Sequence, residues 1–159
     1  MPVSLLEHYR EHFRGLPPLP AGTRQRHPGR SAAPTVLIID DDPDVRELVT
    51  AQLSAEGYTV LTADDGPSGL KAAQAARPDV IVLDVRMPKM TGFDVCVRLR
   101  QDRSTADVPV LILSAYATAA DLKVLGHTVG ADGYLLKPYL RDDLVDRIRT
   151  LLAGAPSAR

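Results

Sequence analysis

At 159 residues, 45% hydrophobic and 25% charged, the chain has the length and composition of one globular domain with its own core. A formal net charge of −1 exerts no global pull toward nucleic acid or an anionic membrane, and no apolar run is long enough to span a bilayer. A single cysteine, Cys96, excludes an internal disulfide; with no apolar leader at the N-terminus, the expected location is a reducing cytoplasm.

Residues 1–34 differ in kind from the rest of the chain. Residues 4–14 have the composition of a short helix, which Gly15-Leu16-Pro17-Pro18 would end. Ala21 to Pro34 is rich in Gly, Pro, Ser and Arg and reads as a flexible linker. His8-Tyr9-Arg10-Glu11-His12 satisfies a short zinc-peptidase pattern. An isolated helix ahead of a linker has no scaffold for a further ligand, so the pattern is read as chance. The expected organisation is an extension over 1–34, a folded domain over 35–152 and a tail over 153–159.

From Thr35 the pattern becomes regular. Val36–Ile39 is the first strand, and Asp42-Pro43 then caps a helix whose inward face is Val45, Leu48, Val49 and Leu53, closed by Gly57. Tyr58–Thr62 is the second strand and Gly66–Arg77 the second helix, stopped by Pro78. Val80–Leu83 is the third strand. Thr91 caps the helix after it, which runs to about Gln101 with Phe93, Cys96, Val97 and Leu99 inward. Val110–Leu113 is the fourth strand, and Thr118–Val129 the fourth helix, with Leu122 and Leu125 on its apolar side. Tyr134–Leu136 is the fifth strand, and Leu140, Leu144, Val145, Ile148, Leu151 and Leu152 form the stripe of a last helix. Five strands alternating with five helices predict an α/β domain: a doubly wound five-stranded parallel sheet with helices on both faces.

Four of these strands stop on a residue able to handle phosphate or a cation. The first runs into Asp40-Asp41-Asp42, the third into Asp84, the fourth into Ser114 and the fifth into Lys137-Pro138. Ligands of open parallel sheets bind at the carboxyl edge, so carboxylates, a hydroxyl and an ammonium are expected around one point. Clustered carboxylates repel unless a cation neutralises them, and Mg²⁺ takes a few carboxylate oxygens plus water. A carboxylate can also attack phosphorus, provided charge on the transferring group is neutralised. Asp42 is set aside as a helix cap because Pro43 comes directly after it.

The segments VLIIDDDPDVRELV, PDVIVLDVRMPKMTGFDV, VPVLILSAYA and GADGYLLKPY, in this order, resemble the receiver domain of two-component response regulators over about three-quarters of the chain. The resemblance implies a flavodoxin-like fold with Asp84 as phosphoryl acceptor. Asp40 and Asp41 would be an acidic pair holding Mg²⁺, and Arg86 would contribute a main-chain carbonyl. Ser114 and Lys137 would meet the phosphoryl oxygens, Tyr134 would be the aromatic switch residue, and Lys137-Pro138 would be a cis peptide. It also implies a histidine kinase or histidine phosphotransfer protein as donor, an unidentified downstream protein target, and a monomer or phosphorylation-dependent dimer. Neither direct nucleic-acid contact nor membrane contact is expected. The spacing between Ser114 and Gly130 is one residue longer than the family's usual pattern. The few residues after Lys137 lead to the expectation of a single-domain regulator that catalyses only its own phosphorylation and dephosphorylation. Two alternatives stand beside it. A phosphorylation-independent pseudo-receiver is disfavoured by the intact acidic and basic set. A haloacid-dehalogenase-like phosphatase would need a second acid where Arg86 stands.

Overall fold

The structure is a computed structural model that describes residues 33–115 and 119–154, apart from the side chains at 119, 122 and 126. The early helix, the linker up to residue 32 and the His8–His12 pattern lie outside the described residues, as do Thr118, the Leu122 side chain and residues 155–159. The strands are β1 (Thr35–Ile39), β2 (Thr59–Ala63), β3 (Val80–Asp84), β4 (Val110–Ser114) and β5 (Gly133–Leu136). The helices are α1 (Pro43–Ala55), α2 (Gly66–Ala76), α3 (Gly92–Gln101), α4 (Ala119–Val129) and α5 (Arg141–Leu152). All strand pairs are parallel, in the order β2-β1-β3-β4-β5. The expected doubly wound sheet is what forms.

Strand alternation divides the core into two layers. Leu37, Ile39, Ile81, Leu83, Val110 and Ile112 face α2, α3 and α4, where Ala73, Phe93, Cys96, Leu99, Leu125 and Val129 complete one cluster. Val36, Ile38, Val82, Leu111 and Leu113 face α1 and α5, where Val49, Leu53, Leu144, Ile148 and Leu151 complete the other. Buried on both faces, the central strands need the unbroken aliphatic runs seen in the sequence.

Local chemistry sets the helix ends. The Asp42 side chain accepts from the Asp44 N–H at 2.9 Å, and Pro43 occupies the first turn of α1. Thr91 and Asp94 form a reciprocal capping box at the start of α3. Gly57 comes just after α1 at φ +89, a conformation that costs a β-carbon residue free energy. Arg77 ends α2 in the left-handed region, one residue before Pro78.

Two apolar assignments fail. Leu48 is 57% exposed, because α1 meets the sheet through Val49 and Leu53, and Leu48 is rotated about 100° from Val49 around a 3.6-residue helix. Leu140 is 72% exposed, because it occupies the N-cap position of α5 and precedes the buried stripe. Strand β2 also begins and ends one residue later than the sequence pattern placed it.

Candidate phosphoacceptor and metal site

Strand order reverses between β1 and β3, since β2 lies on one side of β1 while β3, β4 and β5 extend on the other. Chain connections leave in opposite directions at such a point and open a crevice beyond the strand ends. Asp40 comes directly after β1, and Asp84 is the last residue of β3, so both acids stand at this crevice.

One oxygen from each of Asp40, Asp41 and Asp84 lies within 4.8 Å of the others. Asp40 is buried, Asp84 half-buried and Asp41 exposed, which makes a wall, a floor and an open side. The Asp40 carboxylate is already oriented, as its Oδ1 accepts the Asp42 N–H at 2.9 Å. Its main-chain carbonyl accepts from Arg46 Nη1 at 2.7 Å. From the end of β5, Lys137 Nζ reaches Asp84 Oδ1 at 3.2 Å and Asp40 Oδ2 at 3.4 Å. Burial, and then the neighbouring Asp40 charge, push the Asp84 carboxyl above its ordinary range, with Lys137 opposing. Burial acts to lower the Lys137 ammonium, but the charges of Asp84 and Asp40 outweigh it, and the net displacement is upward. Three oxygen donors with one open side fit a small hard cation such as Mg²⁺, which keeps several waters.

Ser114 closes β4 and is fully buried. Strand register sets it beside Leu136, and its carbonyl accepts the Lys137 N–H at 2.9 Å. The hydroxyl-bearing residue and the ammonium-bearing residue are therefore neighbours through backbone pairing. Tyr134 pairs in register with Ile112 and is half-buried against the α2–α4 core layer. The Lys137-Pro138 peptide is cis. Next to it, Tyr139 is half-buried, and burial raises its phenol above the ordinary value.

The loop from β3 to α3, which carries Arg86, is held by close packing. The Gly92 N–H donates to the Val85 carbonyl at 2.9 Å. A β-carbon at Gly92 would overlap the Asp84 carbonyl oxygen and come within 3.0 Å of the Val85 Cα. Farther along, Lys89 adopts φ +70 and pairs with Asp65 at 2.9 Å. The Ser68 N–H and Lys89 together hold the Asp65 carboxyl down at about 2. Replacing Gly92 with Ala is expected to displace the Asp84 end of the loop and lower stability by about 1–3 kcal/mol. Denaturant unfolding measures the effect.

The sequence pattern for the response regulator receiver domain matches residues 36–149, nearly the whole described sheet and its helices. The chain belongs to the response regulator receiver domain family. This receiver is 47% identical over 119 residues to the DNA-binding dual master transcriptional regulator RpaA of Synechocystis, a match that covers 75% of this chain and 49% of that protein. It is 43% identical to the probable transcriptional regulatory protein TcrX of Mycobacterium tuberculosis, over 74% of this chain and 49% of that protein. The chain thus spans about half the length of the curated relatives it matches.

Among solved structures, the receiver is similar to the chemotaxis protein CheY4 of Vibrio cholerae, with a TM-score of 0.71, 38% identity and coverage of 76% of this chain and 99% of that one. The receiver domain of a sensor histidine kinase from Pseudomonas aeruginosa superposes with a TM-score of 0.70 at 27% identity, covering 77% and 99%. That structure has a magnesium ion coordinated in its active site cleft. Sequence reasoning did not single out Arg46 on α1. Its only trace in the sequence is a basic residue one helical turn past the acidic run, a pattern equally common on a solvated helix face.

Proposed function

We propose that this receiver takes a phosphoryl group from a phosphohistidine of a sensor kinase or phosphotransfer protein onto Asp84, in a Mg²⁺-dependent reaction. The observation that carries the reading is the convergence of Asp40, Asp41 and Asp84 at the switch point, with Lys137 Nζ already at 3.2 Å from the acceptor oxygen.

In this reading an Asp84 oxygen attacks phosphorus in line, an acyl phosphate forms, and the bond to the histidine nitrogen breaks, with that nitrogen leaving on the donor. Asp40, Asp41 and Asp84, with the main-chain carbonyl of Arg86, would hold the metal. When bound, Mg²⁺ supplies neutralisation of the charge on the transferring group. Lys137 exchanges its contact with the carboxylates for a phosphoryl oxygen, and the Ser114 hydroxyl donates to another. Water later attacks the acyl phosphate, so the signal limits itself, and the protein acts on no substrate but its own Asp84. Drawing Ser114 toward the phosphoryl group gives Tyr134 room to turn inward and alters the surface formed by α4, β5 and α5.

Output then runs through changed protein–protein contacts in a cytoplasmic setting, with 35–152 as the folded unit and the receiver surface itself not touching nucleic acid. Among the described residues no helix is long and apolar enough to cross a membrane. The direct test combines a small acyl phosphate donor with Mg²⁺, then borohydride trapping and peptide mapping. One label at Asp84 is expected, with Mg²⁺ binding lost in Asp41→Ala. A label elsewhere, or labelling that does not depend on Mg²⁺, would overturn the proposal.

A further inference from the structure

Arg46 stands outside the phosphoacceptor and metal residues, yet it is tied to their backbone. Its Nη1 donates to the Asp40 carbonyl at 2.7 Å, a charge-assisted bond of short length. That carbonyl lies between elements. Strand β1 has ended at Ile39, and α1 opens on Pro43, which brings no N–H to the turn. With a buried residue at this position, its main-chain oxygen needs a donor from elsewhere.

The same turn sets both acids of the pair. The Asp40 N–H is held by the Ala63 carbonyl at 3.2 Å, and its side-chain Oδ1 is held by the Asp42 N–H. Arg46 fixes the main-chain oxygen of Asp40 without consuming a carboxylate oxygen. The Oδ2 of Asp40, met by Lys137 Nζ only at 3.4 Å, and an oxygen of Asp41 therefore stay available to a cation on the open side.

We infer that Arg46 is a positioning residue for the divalent-cation site: it pins the β1–α1 turn so that Asp40 and Asp41 converge with Asp84 before any metal arrives. Outer groups that orient metal ligands govern affinity through pre-organisation. This role for Arg46 rests on the Mg²⁺ reading of the acidic cluster.

Charge alone predicts the opposite sign. A guanidinium close to the site repels Mg²⁺, so its removal would tighten binding if electrostatics were its only influence. A purely structural role predicts a lower melting temperature and an unchanged metal dissociation constant.

The experiment is calorimetric titration of Mg²⁺ alone into the full chain, for the wild type, Arg46→Met and Arg46→Lys, with thermal melts of each metal-free protein. Affinity in Arg46→Met is expected to fall about ten- to a hundredfold. Arg46→Lys should fall between that variant and the wild type, since an ammonium restores a donor without the guanidinium's fixed plane. Unchanged or tighter Mg²⁺ binding in folded Arg46→Met overturns the inference. If that variant does not melt cooperatively, Arg46→Lys decides, and wild-type affinity there overturns it equally. Failure of the Mg²⁺ reading shows separately, as a wild-type protein that takes up no Mg²⁺ and no label at Asp84.

Discussion

Asp84→Asn is expected to abolish labelling by an acyl phosphate donor and, in the absence of metal, to make the protein more stable at neutral pH. The first effect comes from chemistry, because an amide oxygen does not supply the carboxylate nucleophile. The second comes from the cost of the charge. The Asp84 side chain is only 12% exposed, and burial together with Asp40 holds its carboxyl above the ordinary value of 3.8 despite the pull of Lys137.

Proton linkage gives the sign. Between pH 3.8 and the raised folded value, the folded protein keeps a proton that the unfolded chain has lost, so stability falls as pH rises. Above the folded value the loss is complete, and each unit of displacement corresponds to about 1.4 kcal/mol. Asn carries no such loss, so its advantage is absent in acid and full at pH 7. Thermal melts of both proteins across this range, without metal, measure it, and equal melting temperatures at pH 7 would contradict it. Mg²⁺ should close the gap from the other side. At a hundred times its dissociation constant it stabilises the wild type by about 2.7 kcal/mol, and the variant by less.

Arg100→Met is expected to cost about 3–5 kcal/mol of stability while leaving the label at Asp84 in place. Arg100 and Asp132 form an ion pair at 2.8 Å, with side chains 10% and 4% exposed. Three further bonds run from the guanidinium, to the carbonyls of Gly130 at 2.9 Å, Ala106 at 3.1 Å and Val108 at 2.7 Å. Asp132 Oδ2 also accepts the Val110 N–H at 2.9 Å, so the pair ties the end of α3 to the starts of β4 and β5. Methionine fills similar volume but removes the cation paired with a buried carboxylate and the donor to three carbonyls. Denaturant unfolding measures the loss, and pairing it with Asp132→Leu should recover only the part due to the unpaired charge, since the Val110 N–H then loses its side-chain acceptor. The clamp lies at the amino ends of the strands, opposite the acid cluster. Labelling of Asp84 in folded Arg100→Met therefore separates stability from chemistry, and a folded variant that no longer labels would contradict that separation.

Most of the helix and strand set was legible because local rules and global packing agree here. Aliphatic runs mark strands buried on both faces, and Asp42, Thr91 and Gly57 terminate helices by backbone chemistry that needs no tertiary partner. Leu48 and Leu140 both lie at the edge of an apolar stripe that has no sharp boundary in sequence: how α1 rolls against the sheet exposes Leu48, and its place at the N-cap of α5 exposes Leu140. Helical spacing places Cys96 on the inward face, and in the structure it is fully enclosed, where burial pushes its thiol up to about 11.

By itself the sequence determined the chemistry available to this receiver: which acids, which hydroxyl and which ammonium end its strands, and that the strands are parallel. Side-chain type and strand-end position are local properties, so a single chain displays them. Only the tertiary structure decided that Asp40, Asp41 and Asp84 meet within 4.8 Å, that Lys137 spans two of them, and that Arg100 binds a carbonyl thirty residues away. Those facts depend on strand order, which places β3 beside β1, and on the reach of long cationic side chains toward unpaired main-chain oxygens. Neither leaves a periodic mark in the sequence.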